Sequence, residues 1–150
     1  MAVQQVTGAR EIIAEADTVW KVITDIDKYP RTRTSVMKVE RTSGPGFEVG
    51  TAWTEQRYFL GASASFDVEV TAIEDGKSYA IASSIGDSTF SATYRLLPSS
   101  LGTRLEAEMA VDSGSEGMGG WLKSMMGGGG AKAVKQMFEQ DLDDFVASIR

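Results

Sequence analysis

Apolar and polar residues alternate along most of the chain before residue 112. The clearest run places Phe66, Val68, Val70 and Ala72 on one face, with polar residues between them. A period of two is typical of a strand that buries one face. The same alternation predicts six further strands, at 6–13, 36–41, 51–59, 79–85, 90–96 and 104–112. Turn residues between these runs predict that successive strands pair as antiparallel hairpins.

Two segments follow a helical period instead. From Thr18 to Asp27 we predict a short amphipathic helix, which Asp17 caps and Pro30 ends. The second helix closes the chain at Arg150. Its apolar residues form one stripe, which consists of Val134, Met137, Phe138, Leu142, Phe145 and Ile149. The glycines at 127–130 should break or loosen the start of this helix, since each costs about 1 kcal/mol relative to alanine.

Strands followed by one long amphipathic helix indicate an α+β fold, with the helix packed on one face of an antiparallel sheet. A chain of 150 residues is expected to build one core, so residues 1–150 are interpreted as a single domain. The terminal helix also carries Asp141, Asp143 and Asp144. Adjacent helical positions point in different directions, so these carboxylates are interpreted as a solvated acidic face rather than a metal site.

Composition narrows the chemistry. The chain has neither Cys nor His, so it lacks thiolates and the imidazole that most often acts as a general base or metal ligand. No metal or other cofactor is expected. The net charge of −6 opposes a phosphate backbone, and nucleic acid is therefore not an expected partner. No apolar run reaches the ~20 residues that span a bilayer, and no signal peptide is evident, so a cytoplasmic protein without an integral membrane segment is expected.

Three segments resemble a known protein family. Residues 12–20, with the sequence IIAEADTVW, and residues 23–30, with the sequence ITDIDKYP, resemble its N-terminal signature. Residues 49–53, with the sequence VGTAW, are similar to a later strand entry. The family is the polyketide cyclase/dehydrase and lipid-transport family of the START-like, or birch-pollen-allergen-like, superfamily. The chain departs from the family pattern at Glu15, where Pro is usual, and at 31–33, where a Trp often stands.

The resemblance implies a helix-grip fold. In this fold, a curved antiparallel sheet of about seven strands wraps around the C-terminal helix, and two short helices follow the first strand. A hydrophobic cavity commonly lies between sheet and helix. The superfamily includes lipid carriers, hormone receptors, cyclases and chaperone activators, so the resemblance defines the fold more narrowly than the function.

The inner face of such a sheet supplies the candidate ligand-binding residues. Those on strands are Phe66, Val68, Tyr79, Ile81, Phe90, Ala92, Tyr94, Ala107 and Met109, and those on the helix are Met137 and Phe138. Small side chains at Ser83, Ala92 and Ala107, beside the aromatic ones, favour an unfilled apolar space. The hydroxyl groups of Tyr79 and Tyr94 either enter this space or bond a nearby backbone group.

One strand adds polar candidates to this set. Trp53, Glu55 and Arg57 share a face of the strand at 51–59. They can orient the polar group of a ligand inside the cavity. The alternative is that Glu55 and Arg57 pair with each other, either on a solvated edge or inside the protein.

The segment before the terminal helix combines apolar residues with glycines. Trp121 and Met125, with Leu122 and Met126, are interpreted either as a hinged flap at the cavity mouth or as a first helical turn over the core. The glycines at 127–130, followed by Lys132, match neither G-x-x-x-x-G-K-[ST] nor G-x-G-x-x-G in spacing, and no parallel strand of a βαβ unit precedes them, so a phosphate-binding loop is rejected.

The leading hypothesis is a non-catalytic binder or carrier of a small hydrophobic molecule, such as a lipid, an isoprenoid or a polyketide-like compound. The first alternative is a cyclase or dehydratase in which Glu55 is the general base and Tyr79 or Tyr94 polarises a carbonyl. The second is a protein-interaction module that uses the surface around residues 121–126.

Overall fold

A computed structural model of the protein describes residues 3–59, 62–85, 88–112 and 130–149. Seven strands form one antiparallel sheet in the order β1-β7-β6-β5-β4-β3-β2. Their bounds are β1 Val3–Ile12, β2 Val36–Arg41, β3 Ala52–Phe59, β4 Ala62–Glu74, β5 Ser78–Ile85, β6 Ser88–Ser99 and β7 Gly102–Asp112. The helices are α1 Ala16–Ile23, a 3₁₀ turn Ile26–Lys28, α2 Tyr29–Thr32 and α3 Gly130–Ile149. The predicted α+β helix-grip fold is therefore confirmed.

The sheet follows the predicted hairpins from β2 to β7, and β1 adds to the far edge. Consecutive strands from β2 onward pair with each other, whereas β1 pairs with β7 from Val3↔Asp112 to Ile12↔Thr103. The strand that begins the chain therefore lies beside the one that precedes α3. This pairing places α1 and α2, which follow β1, next to the C-terminal half of α3.

One residue of the clearest strand pattern faces the other way. Phe66, Val68 and Val70 are buried as predicted, but Ala72 is exposed. The register between β4 and β5 shifts between Val70 and Ala72, so Thr71 is an extra residue in β4. A bulge of this kind reverses the alternation beyond it. The prediction for Ala72 was wrong, and Ile73 packs against the core instead.

The first helical region begins and ends earlier than predicted. The N-cap of α1 is Glu15, whose carbonyl accepts the amide of Val19 at 3.1 Å, so the prediction of Asp17 as the cap was wrong. The helix ends at Ile23, well before Pro30. Pro30 instead lies in the first turn of α2. Proline is well suited to that position, because the first turn of a helix needs no amide donor.

The long helix α3 packs its apolar stripe against the sheet. Phe138, Leu142 and Phe145 are buried, as the helical period predicted. Gly8 on β1 permits the approach, because a Cβ there would lie only 2.8 Å from Leu142 Cδ1. At the helix surface Arg10 bonds both Glu139 and Asp143, at 2.9 and 2.7 Å. These contacts fix the helix across the concave side of the sheet.

The acidic residues of α3 do not form one solvated face. Asp143 is exposed, but Asp141 and Asp144 are buried, so the predicted solvated face was wrong for those two. Asp144 anchors the segment that precedes β2. Its Oδ2 accepts hydrogen bonds from the amide and the hydroxyl of Thr34 at 2.8 and 3.0 Å. Asp141 points toward the interior between sheet and helix.

Candidate functional site

A cavity lies between the sheet and the N-terminal half of α3. Its volume is about 70 Å³. Apolar side chains from four strands and the helix form most of its wall, and a group of charged residues closes one end. The lining residues are Arg33, Glu55, Arg57, Phe66, Val68, Ile81, Ser83, Phe90, Ser91, Ala92, Tyr94, Met109, Met137, Phe138 and Asp141.

Most of the candidate residues on the inner face line this cavity. They are Glu55, Arg57, Phe66, Val68, Ile81, Phe90, Ala92, Tyr94, Met109, Met137 and Phe138. Trp53, Tyr79 and Ala107 are buried but lie in the packed core outside the lining. Trp121 and Met125 lie outside the described residues, as does the glycine segment up to residue 129. A ligand contact for any of these side chains stays a prediction.

The charged end is centred on Arg57. Its Nε donates to Glu55 Oε2 at 2.6 Å, and its Nη1 and Nη2 lie 3.3 and 3.0 Å from the two carboxylate oxygens of Asp141. Nη1 also donates to Ser35 Oγ at 2.9 Å. The second oxygen of Glu55 accepts the indole N–H of Trp53 at 3.1 Å. Glu55 and Arg57 therefore pair inside the protein, which was one of the two alternatives to a free polar handle.

Glu55 is held as a carboxylate. Burial alone would raise its pKa, but the charges of Arg57 and Arg33 and the hydrogen bonds from Trp53 and Arg57 lower the pKa below its ordinary value. Both of its oxygens already accept a hydrogen bond. A general base needs a pKa near the working pH and an oxygen that can reach the substrate proton. Glu55 is therefore poorly placed to act as the base of the cyclase hypothesis.

Arg33, which follows α2, is a charged residue of the cavity wall that was not predicted from the sequence. It is only 3% exposed, and its guanidinium carbon lies 4.2 Å from the ring centroid of Tyr29 and 4.5 Å from that of Phe145. Its ion pair with Asp141 Oδ2 is long at 3.8 Å. Burial alone would lower the pKa of Arg33, but Asp141 and the nearby tyrosines raise it well above its ordinary value. The side chain is therefore a permanent buried cation.

The three buried tyrosines divide into two kinds. The hydroxyl of Tyr79 donates to the carbonyl of Ile23 at 3.1 Å, and the hydroxyl of Tyr29 donates to the same carbonyl. The hydroxyl of Tyr79 therefore bonds a backbone group, which was one of its two predicted roles, and this bond connects the sheet to the end of α1. Tyr94 stacks on Tyr79 with ring centroids 5.1 Å apart, lines the cavity, and forms no hydrogen bond through its hydroxyl to any described residue.

A signal for Asp141 was present in the sequence. It falls on the same stripe as Phe138, Leu142 and Phe145, at spacings of three and four residues. A carboxylate on an apolar stripe predicts a buried cationic partner. For Arg33 the only signal was its position directly after a short turn, which does not distinguish an inward from an outward side chain.

Among residues 3–59, 62–85, 88–112 and 130–149, no group of three or more acidic, His or Cys side chains could hold a metal ion. In the same ranges, no helix is long and apolar enough to cross a membrane.

A curved antiparallel sheet that holds a long C-terminal helix, with a cavity between them, defines the helix-grip fold. The sequence matches the model of the family described as polyketide cyclase / dehydrase and lipid transport over residues 3–150, and the chain belongs to that family. Membership agrees with a role in binding a hydrophobic ligand or in polyketide-cyclase-like chemistry and specifies no particular ligand. No curated protein matches the sequence.

Solved structures share the fold at low sequence identity. The Zhui aromatase/cyclase from Streptomyces sp. R1128 has a TM-score of 0.80 and 14% identity, over 99% of this chain and 94% of that one. A protein from Thermus thermophilus has a TM-score of 0.78 and 19% identity, over 97% of both chains. A START superfamily protein from Mycobacterium smegmatis has a TM-score of 0.72 and 16% identity, over 97% of this chain and 99% of that one. These likenesses establish the fold.

Proposed function

We propose that the protein binds or carries a small hydrophobic molecule in the cavity between the sheet and α3. The observation that carries this proposal is an apolar cavity that ends in a buried charged group, inside a fold whose family name includes lipid transport. Ligand pockets commonly combine apolar walls with a few convergent polar groups. We further propose that residues 1–150 act as one domain in the cytoplasm and that no nucleic acid takes part.

The size of the cavity shapes the proposal. At about 70 Å³, it is less than half of the roughly 150 Å³ that accommodates benzene in an apolar protein cavity. A ligand must therefore displace side chains on entry. Met109 and Met137 on the cavity wall are suited to this, because unbranched thioethers change rotamer at low cost. Binding would then enlarge a space that is already present in the free protein.

Affinity would come mainly from apolar burial. Each Å² of apolar ligand surface removed from water contributes about 25 cal/mol, less the cost of fixing the ligand and of moving the methionines. The aromatic rings of Phe66, Phe90 and Phe138 lie on the cavity wall and offer large apolar surfaces to a ligand. An aliphatic or aromatic body of modest size fits this wall better than a strongly polar one.

The first test is native mass spectrometry of freshly purified protein, followed by extraction and identification of any bound small molecule. Reconstitution with the extracted compound then compares two variants. Ala92→Leu fills the cavity and should lower the affinity about tenfold or more. Ala82→Leu makes the same change on the exposed face of the neighbouring strand and should leave the affinity unchanged. Equal affinities of the two variants would argue against this cavity as the binding site.

A cyclase or dehydratase is the second candidate, and the family description is what favours it. Glu55 is unsuited to be the general base of such an enzyme, because its pKa is lowered and both of its carboxylate oxygens already accept hydrogen bonds. Tyr94, whose hydroxyl is unbonded among the described residues, would then be the group that polarises a substrate carbonyl. Turnover of a bound polyketide-like compound by the native protein, abolished in Tyr94→Phe, would support an enzyme over a carrier.

A further inference from the structure

Arg33 carries five N–H donors and uses none of them in a hydrogen bond to the described residues. Its Nε is fully buried without a partner, and its side chain lines the cavity. Buried polar groups in native proteins are almost always hydrogen-bonded, because an unmet donor costs about 1–3 kcal/mol and more when charged. An unbonded buried guanidinium at a cavity wall therefore indicates that its acceptor comes from a bound molecule.

The guanidinium is held ready for such an acceptor. Tyr29 and Phe145 lie within 4.5 Å of its central carbon, so aromatic rings support the cation. Asp141 is too far, at 3.8 Å, for a hydrogen bond and already binds Arg57 through both oxygens. Packing therefore orients the N–H donors of Arg33, while the nearest carboxylate, that of Asp141, binds Arg57 instead.

The charge balance of the site decides which acceptor fits. Glu55 and Asp141 carry two negative charges, and Arg57 and Arg33 carry two positive ones, so the buried cluster is neutral. Asp144, also buried on the same helix, lies outside this cluster of four, because its oxygens accept hydrogen bonds from Thr34 and Gln140. A ligand carboxylate would leave the cluster with a net negative charge away from water, which is costly. A neutral carbonyl would accept from Arg33 and leave the balance unchanged.

We propose that Arg33 selects ligands that carry a neutral carbonyl oxygen, such as a ketone or an ester, and disfavours the corresponding carboxylate. The inference rests on the proposed function, because it concerns the same cavity. Tyr94 supplies a second donor, since its hydroxyl also lines the cavity and lacks a partner among the described residues. Arg33 and Tyr94 together define the polar end of the ligand, and the apolar wall defines its body.

A matched ligand series tests the inference. Octane, 2-octanone and octanoate share one chain length and differ only in the polar end, and at pH 7.5 octanoate is ionised. Calorimetric titration of the native protein should show 2-octanone binding about tenfold or more tighter than octanoate, and about tenfold or more tighter than octane after the free energies of transfer of the two ligands from water to hexane are subtracted. The carbonyl stretch of the bound ketone should also move to lower frequency than in hexane, which reports a hydrogen bond directly.

Variants assign the preference to Arg33. Arg33→Met combined with Asp141→Asn keeps the buried cluster neutral. On the same corrected scale, this variant should bind the ketone no better than octane, and it should lose the frequency shift. The matched control is Arg10→Met with Asp143→Asn, which removes the surface ion pairs between β1 and the same helix and should keep both signals. Tyr94→Phe is a smaller change and should reduce the preference for the ketone several-fold. It replaces the double variant in this experiment if the double variant does not fold.

The outcomes separate the two proposals. If octanoate binds as tightly as 2-octanone, or if the ketone and octane bind equally to the native protein after that subtraction, the inference about Arg33 is wrong while the cavity proposal survives. If none of the three compounds binds, the proposed function fails together with the inference. Retention of the ketone preference in the charge-balanced double variant would also overturn the assignment to Arg33.

Discussion

The space between the sheet and α3 has two ends that are built differently. At the end under α1 and α2, aromatic rings fill the interior, with Phe47 and Tyr79 in edge contact at 4.9 Å and Tyr29 and Phe145 at 6.1 Å. At the other end, Ala92 and flexible methionines surround a cavity. The two halves of α3 therefore have different surroundings: the C-terminal half packs into the filled core, and the N-terminal half borders the cavity.

The hydrogen bonds follow the same division. At the filled end, the hydroxyls of Tyr29 and Tyr79 meet on the carbonyl of Ile23. At the cavity, Arg33 and Tyr94 have no hydrogen-bond partner through their side chains among the described residues. Thr32 Oγ1, in α2 at the filled end, is also buried without a partner among the described residues. The difference between the ends is therefore that the unmet donors of Arg33 and Tyr94 line the cavity.

The largest expected effect comes from the filled end. Phe145→Ala removes a fully buried ring that contacts Tyr29, Tyr94 and Arg33, and it should lower the free energy of unfolding by about 3–5 kcal/mol. Met137→Ala, on the half-buried cavity wall, should cost less than about 2 kcal/mol, since fewer contacts are lost. Urea unfolding of both variants measures the difference. Equal losses would mean that the two ends are packed alike.

A comparable loss in the free energy of unfolding is expected when the buried charged cluster between the two ends is disrupted. Asp141→Ala leaves the guanidinium groups of Arg33 and Arg57 without their shared carboxylate, and removing one partner of a buried pair costs about 3–5 kcal/mol. Asp143→Ala is the matched control, because this residue is two positions away on α3, is exposed, and pairs with Arg10 at the surface. It should cost less than about 1 kcal/mol. Similar denaturation midpoints for the two variants would contradict a buried cluster.

High pH should lower the free energy of unfolding by a smaller amount, through a tyrosine at the filled end. Burial raises the pKa of Tyr29 from 10.0 to about 12, partly offset by the charge of Arg33. The folded state thus favours the neutral phenol, so this contribution is complete below pH 10 and is lost as pH rises through 12. A change of this size corresponds to roughly 2–3 kcal/mol. Unfolding measured between pH 9 and pH 12 should show this loss, and Tyr29→Phe should show a correspondingly flatter profile.

Most of the fold could be predicted from the sequence because its pattern is local. Alternation along β5, β6 and β7 needs only one buried face, and Phe90, Tyr94 and Leu105 are all buried as that pattern requires. The errors arose where one residue changes the register. The bulge at Thr71 exposes Ala72, and no residue type at that position announces it. The start of α1 shifted for a similar reason, since a residue without a capping side chain, Glu15, is the N-cap.

The candidate site was predictable only in its apolar part. Side chains such as Phe66 and Met109 reach the cavity because they share a face of the sheet, and the period of two reveals that face. The charged end depends on residues brought together over long separations, since Arg57 and Asp141 are 84 positions apart. No spacing rule connects such residues. Arg33 is harder still, because only the packing of Tyr29 and Phe145 around it determines that it points inward.

The smallest expected effect is the sharpest test of the contrast, because it compares the same change in two stacked rings. Tyr79→Phe removes the hydrogen bond to the carbonyl of Ile23 and should cost about 1 kcal/mol, although Tyr29 still bonds that carbonyl. Tyr94→Phe removes a hydroxyl without a described partner and should change the free energy of unfolding by less than about 0.5 kcal/mol. Chemical denaturation of both variants at neutral pH gives the two values. A cost for Tyr94→Phe as large as that for Tyr79→Phe would mean that its hydroxyl is already bonded within the protein, and the cavity would then offer a ligand one donor fewer.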